Sequence, residues 1–309
     1  MSRKWAAGYE YTVKEDGQDL TAQASLAACE GVSGSYYVAY SNPNLVISVH
    51  PTNDDNPSTN GSVYSLRFTP VTVPVPALVD SLVAFYAMDS IAGADVVDSH
   101  GNADDLVDVN GVDRTAGMDG NAADFDIAAD EYFDIDAAAG GVFEFAGSFS
   151  ITCWIYIVAM PDKGGGACYQ KIFSRPSGYK GYELLVAAVG DPLAFVLYSD
   201  TPGNDSMVSH FASAGTGKWL FVAAVNDADA GELSIWCDDS GSLAQNVPAS
   251  YSFTQTIATL ANTRVGALGT AATSGQLYID SLAVFDKALT SAEVTWLYNG
   301  GAGRVYGDF

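Results

Sequence analysis

Residues Gly275–Arg304 read "GQLYIDSLAVFDKALTSAEVTWLYNGGAGR". The first half is rich in aliphatic, aromatic and β-branched residues, the composition of a buried strand. The second half changes to helix. Thr290 followed by Glu293 fits a capping box, in which each side chain satisfies the other residue's backbone N–H. Val294, Leu297 and Tyr298 then share one face. Asn299-Gly300-Gly301 ends the helix, because glycine takes the left-handed C-terminal position at little cost. One residue is out of place. Aspartate is depleted in strands, and an unpaired buried carboxylate is costly, yet Asp280 sits in mid-strand. It is either a metal ligand, or a group that caps a turn or faces water at a sheet edge. Periodicity does not separate these readings, because both faces of "LYIDSLAVF" are mostly apolar.

The same strand signal recurs along the chain. "SYYVAYS", "NLVISVH", "SVYSLRFTPV", "SLVAFYAM", "SFSITCWIYIV", "YELLVAAV", "LAFVLYS", "WLFVAAVN", "GELSIWCD" and "TRVGALG" are short runs of Val, Ile, Tyr, Phe and Thr. Gly, Asp, Asn and Pro separate them. Many strands and few helices predict an all-β protein built as a sandwich. Pro70, Pro74 and Pro76 in "TPVTVPVPALVD" stiffen the chain and remove ladder donors, which marks a boundary. The expected organisation is a small β-rich attachment domain over 1–69, a Pro-rich linker over 70–77 and a sandwich over 78–309. "HPTNDDNPSTNGS", from His50 to Ser62, reads as an exposed loop of the small domain.

The chain has 309 residues, 37 acids against 13 Lys and Arg, and a formal net charge of -24. Such a surface repels nucleic acid and anionic membranes, which both need a basic footprint. The first residues, "MSRKWAAGYEYTVKEDG", contain no apolar core of signal-peptide length, and no run of about eighteen apolar residues occurs. Synthesis in a cytosol without the general secretory route, and no membrane partner, are the expectations. Cys29, Cys153, Cys168 and Cys237 show no CxxC spacing. Cys153 and Cys237 fall inside strand-like runs and are expected to be buried free thiols, since cysteine packs as a small hydrophobe.

Acidity is concentrated. Between Asp95 and Asp136 there are 12 Asp and one Glu against a single base, Arg114. Calcium is held by hard oxygens from carboxylates, amide or backbone carbonyls and water. "DSHGN" offers the Asp98 carboxylate, the Asn102 amide or carbonyl, and Gly101 for a tight curl. The EF-hand pattern is absent. Asp280 is a candidate to complete such a site from its strand. A solvated acidic loop is the other reading.

From about Leu78 to Arg304 the chain resembles the laminin-G-like branch of the concanavalin A-like lectin/glucanase superfamily. The matching segments, in order, are "LVAFYAMDS", "VVDSHGNADDL", "GMDGNAADFDIAADEYFDI", "FSITCWIYI" with Trp154, "KWLFVAAVND", "GELSIWCDD", "TRVGAL" and the Gly275–Arg304 stretch. The resemblance implies a jelly-roll β-sandwich of two antiparallel sheets. It also implies a calcium ion (Ca2+) at the sandwich edge, held by the loop after the first strand and the Asp of the last. Carried onto this chain, the ligands are Asp98, Asn102 and Asp280, with Asp89 in reserve. The length and acidity of the first loop depart from the family pattern. No family resemblance is recognised in the first seventy-odd residues.

Three functional classes follow. Catalysis by a retaining glycosidase needs two carboxyl groups about 5–5.5 Å apart. The compact E-x-D-x-(x)-E arrangement that supplies them is absent; "DEYFDID" offers Glu131, Asp134 and Asp136 without a second Glu, and Glu183 stands alone. His50, His100 and His210 are scattered, so no enzyme is expected. A carbohydrate-binding module needs exposed aromatics, and Tyr179, Tyr182 and Tyr198 are the candidates. Tyrosines half-buried in a sheet are the alternative. The third class is a structural or adhesive part of a larger assembly. A sandwich of an extracellular type without an export signal suits a virion protein, such as a phage decoration, head-fibre or tail component. The first domain would attach it to other virion proteins, with a homo-oligomer expected and a glycan as possible ligand. A bacterial cell-surface protein is the rival setting.

Overall fold

The chain divides into two compact units, Met1–Val75 and Pro76–Phe309. A computed structural model describes residues 78–309 except 104, 136–139, 163–167, 178–179, 188–192, 199–206, 212–214, 254–260 and 268–273. Over 176–177 and 207–211 it describes the backbone alone, as it does for six strands in the first unit. Residues 51–62 of the expected loop, the linker residues 71–77, and Cys29 lie outside the described residues.

The six strands of the first unit are β1 (Tyr9–Glu15), β2 (Gln18–Asp19), β3 (Thr21–Ala22), β4 (Ser35–Ser41), β5 (Asn44–His50) and β6 (Tyr64–Pro70). They form two three-stranded sheets, β2-β1-β6 and β3-β4-β5. β4 and β5 pair antiparallel from Ser35 opposite His50 to Ser41 opposite Asn44.

The second unit is a sandwich. Its strands are β7 (Leu82–Tyr86), β8 (Val107–Val109), β9 (Asp113–Ala116), β10 (Asn121–Asp126), β11 (Tyr132–Ile135), β12 (Phe149–Asp162), β13 (Tyr169–Ser177) and β14 (Lys180–Ala187). They continue with β15 (Leu193–Leu197), β16 (Met207–Phe211), β17 (Trp219–Asp227), β18 (Glu232–Cys237), β19 (Ala244–Gln245), β20 (Ala249–Ser250), β21 (Thr263–Val265) and β22 (Ser274–Phe285). The first sheet runs β19-β18-β17-β12-β22-β10-β9, with β20 on β18 and β7 on β22. The second runs β16-β15-β14-β13-β21-β11-β8. The pairing within both is antiparallel, as a jelly roll requires.

Alternation along the strands places the core between the sheets. From the first sheet Phe149, Ile151, Cys153, Ile155 and Ile157 point inward; from the second, Phe173, Tyr182, Leu184 and Phe195 meet them. The Phe149 ring lies 4.5 Å from Tyr182 and 5.8 Å, edge-on, from Phe195. Each such side chain contributes about 1.5–3 kcal/mol by leaving water. Cys153, Cys168 and Cys237 are buried free thiols. Burial pushes the Cys153 and Cys237 thiols up, so both stay protonated packing groups.

The outer face of the first sheet carries a second apolar layer. Helix α1 (Ser291–Tyr298) lies over it, with Val294 and Leu297 buried. Its capping box is complete: Thr290 Oγ1 accepts from Glu293 N, and Glu293 Oε2 accepts from Thr290 N. Asn299, at φ 51°, takes the left-handed position that ends it. Ser150 Oγ, on β12, donates to Lys287 O and accepts from Leu289 N, pinning the approach to the helix. The terminal segment then folds back, with Phe309 against Phe85 and Trp296.

Candidate glycan-binding face and the acidic anchors

The helix and the terminal segment leave part of the first sheet's outer face uncovered. There Trp219 (β17), Tyr156 (β12) and Tyr278 (β22) stand side by side, because Tyr156 is directly opposite both partners in the register. All three are half-buried. Tyr156 and Tyr278 stack with centroids 5.3 Å apart and planes 19° apart; Trp219 meets Tyr156 edge-on at 5.7 Å. Val158, exposed, extends the apolar strip along β12.

Polar groups border the row. Asp124 is opposite Tyr278 on β10, and Asp113 is opposite Asp124 on β9. Gln276 Nε2 donates to both Asp124 oxygens, at 2.9 and 3.1 Å, and fixes the carboxylate beside the rings. Partial burial, together with Asp113 and Asp126, pushes the Asp124 carboxyl up against the opposing pull of Gln276. Tyr278's hydroxyl is likewise pushed up, first by burial and then by Asp124. A few aromatic rings beside fixed hydrogen-bonding groups are the makings of a sugar site.

Sequence reasoning missed this row. Its signal was present at alternate positions of "WIYI", "LYID" and the start of "KWLFV", but no alternation within one strand tells which other strand lies beside it.

The aromatic candidates drawn from sequence fare differently. Tyr182 is buried in the inter-sheet core, and its hydroxyl donates to Phe143 O at 3.1 Å, so its assignment to an exposed sugar-stacking surface is corrected. The register explains it: "GYELLV" alternates with Tyr182, Leu184 and Val186 inward, opposite Leu197, Phe195 and Leu193. Tyr198 is half-buried and donates to Glu183 Oε2 at 2.8 Å. Tyr179 lies outside the described residues. Glu183 itself is buried on the outer side of β14, its other oxygen paired with Lys171 Nζ. Of the "DEYFDID" acids, Glu131 accepts from Asp126 N, and Asp134 holds Asn262 and Arg264. Asp136 lies outside the described residues.

The acids proposed for calcium are hydrogen-bond anchors. Asp280, 0% exposed, sits where β22 exchanges β10 for β7 as its neighbour. An extra residue enters β22 there, with Ser281 at φ 49°, and shifts the pairing with β12. Such a bulge re-aims side chains. The Asp280 carboxylate accepts from Met118 N at 2.7 Å and Asp119 N at 3.0 Å, in the turn between β9 and β10, and from Ser281 Oγ at 3.1 Å. Asp89 Oδ1 accepts from Asn121 N at the end of that turn. Gly117 and Gly120 make the approach feasible, since a Cβ at either would collide with the Asp280 or Asp89 carboxylate. Asp98 is buried and accepts from Phe85 N, His100 N and Ala103 N, closing the acidic loop onto the edge of β7. Asn102 is exposed.

Among the described residues, no group of three or more His, Cys, Asp or Glu side chains gathers so as to hold a metal ion. Both Asp98 oxygens, Asp280 Oδ2 and Asp89 Oδ1 accept from backbone N–H groups, which prefer an anion and would face a cation badly. Among the described residues these committed oxygens are poorly matched to a calcium cage. Excess chelator is expected to leave the melting temperature of the chain unchanged. A fall that calcium reverses would restore the ion; at about a hundredfold over its Kd an ion adds about 2.7 kcal/mol.

The family model of the concanavalin A-like lectin/glucanases superfamily matches residues 128–295, more than half of the 309. No curated protein matches the chain significantly. Among solved structures it is similar to botulinum neurotoxin type C, which depends on two ganglioside molecules to get into cells, with 16% identity and a TM-score of 0.57. That match covers 74% of this chain and 53% of the other. It is similar to the binding domain of botulinum neurotoxin DC, seen with rat synaptotagmin II, at 17% identity and a TM-score of 0.56, covering 72% and 52%. The binding domain of Paraclostridial mosquitocidal protein 1 matches at 15% identity and a TM-score of 0.57, covering 72% and 53%. The chain thus spans about half the length of these structures, and at such identities they share its fold. With two antiparallel sheets around one core, and a family match over most of that sandwich, the chain belongs to the concanavalin A-like lectin/glucanase superfamily.

Proposed function

We propose that the sandwich is a non-catalytic glycan-recognition module whose contact surface is the Trp219–Tyr156–Tyr278 row. The observation that carries this reading is the row itself. Three aromatic rings lie together on a sheet face elsewhere covered by α1 and the terminal segment. Large rings left half in water lose hydration favourably when a ligand with an apolar face settles on them, and their hydroxyl and N–H groups then bind its polar edge. The ganglioside interaction of botulinum neurotoxin type C and the SialylT complex of the botulinum neurotoxin DC binding domain, both similarly folded, support sugar recognition as the class of activity. Glu183, engaged on both oxygens by Lys171 and Tyr198, is poorly placed to serve as a glycosidase acid or nucleophile. In this reading the Met1–Val75 unit attaches the module to a larger assembly, such as a virion, that displays it.

Trp219→Ala and Tyr278→Ala are each expected to weaken binding of glycan-array hits by about tenfold or more, or about 1.4 kcal/mol. The near-ultraviolet spectrum of the core should be retained in at least one of them. An array without hits, or hits indifferent to both substitutions, overturns the assignment of the row.

A further inference from the structure

We infer that the glycan held by the Trp219–Tyr156–Tyr278 row is built of amino sugars, whose ammonium groups pair with Asp124 and Asp113 while the sugar rings lie on the aromatic strip. The inference rests on the row being the glycan site. Charge complementarity chooses the occupant. Asp124 and Asp113 continue the register of Tyr278 across β10 and β9, so a chain laid across these strands meets rings and then carboxylates. Among the described residues neither acid has a Lys or Arg nitrogen within 4 Å.

The bases adjacent in sequence are committed elsewhere. Lys218 pairs with Asp239 at 3.0 Å. Arg114 turns its guanidinium to Ser90 Oγ and to the carbonyls of Val112, Asp113 and Ala94. Arg114 attracts Asp113 only at longer range, and Asp124 is held by the neutral Gln276 amide, so neither carboxylate has a cation in direct contact. Their mutual repulsion, which together with burial pushes the Asp124 carboxyl up, is relieved when one arrives. A divalent metal is a poor candidate, because no metal-holding group of acids is present among the described residues. A sialylated or uronic glycan would bring like charge to this edge. An ammonium group on a pyranose matches both parts of the surface, since it pairs with the carboxylate and is attracted to Tyr and Trp faces.

The test uses the full chain and short oligomers of glucosamine, N-acetylglucosamine and galacturonate, by titration calorimetry at a pH where the amines are charged. The glucosamine oligomer is expected to bind about tenfold more tightly than its N-acetylated counterpart, with the galacturonate oligomer weakest. Asp124→Asn is expected to bring the ratio between the first two close to one. N-acetylated oligomers that bind as well as glucosamine oligomers, while Trp219→Ala still abolishes binding, overturn the amino-sugar inference and leave the row standing. If Trp219→Ala and Tyr278→Ala affect no oligomer, the row itself fails. A lysine-rich peptide that competes as well as the glucosamine oligomer reduces the patch to a general cation surface and also overturns the inference.

Discussion

Glu144→Ala is expected to destabilise the sandwich by about 3 kcal/mol, through a charge that nothing in the local sequence announces. Arg175 is on β13 opposite Tyr182, on the inward side of the second sheet, and is only 1% exposed. Its guanidinium meets Glu144 Oε1 at 2.8 Å and Thr263 Oγ1 at 2.9 Å, and its Nε has no hydrogen-bond partner among the described residues. Removing one member of a buried pair leaves the other charged and unpaired, at about 3–5 kcal/mol. The Glu144 side chain keeps 26% of its exposure, so water screens part of the loss and the lower end applies. For a unit of this size that lowers the melting temperature by about 6–12 °C. Arg175→Met removes the charge and fills similar volume. The double variant Glu144→Ala/Arg175→Met should therefore recover most of the loss, as replacing a buried pair by apolar groups often does. A single Glu144→Ala variant that melts within about 1 °C of the parent would show that the pair is screened and structurally idle.

The pair also shows where sequence reading ends. The helix cap at Thr290 and Glu293 was legible because all its partners lie within one turn. Strands were legible because alternation and turn residues are local signals, and the order of short segments carried the family. The role of Arg175 in "FSRPSG" depends on Glu144 and Thr263, 31 and 88 residues away. Tyr182 and Tyr198 looked alike as tyrosines near strand ends, yet pairing puts one in the core and the other beside Glu183. The aromatic row needed register across β17, β12 and β22, which no single strand contains. Asp280 was correctly singled out as costly. Its partners were unreadable because they are backbone N–H groups of a turn about 160 residues earlier, and amide donors have no side-chain signature.

Asp280 should therefore behave as an anchor with a pH signature. Burial pushes its carboxyl up from 3.8 to about 6, against the lowering effect of the Asp119, Met118 and Ser281 hydrogen bonds. The folded state thus holds its proton more tightly than the unfolded chain. The stability this group contributes is fully present below about pH 3.8 and is lost as pH rises through about 6. A difference of about two pKa units corresponds to about 3 kcal/mol between these limits. Asp280→Asn keeps an oxygen for Met118 N and Asp119 N without the charge. It should match the parent near pH 4 and become more stable than it by up to about 3 kcal/mol at pH 7, measured by urea unfolding at each pH. Asp280→Ala deletes the acceptor and leaves two turn amides unsatisfied, a loss of about 1–3 kcal/mol each where water is excluded. Alanine should therefore fall below asparagine at every pH. Equal stability of the two variants would mean that the turn does not depend on the carboxylate, and an unchanged pH slope in Asp280→Asn would place the titrating group elsewhere. Both outcomes are readable in one experiment because asparagine changes only charge, whereas alanine also removes the bond.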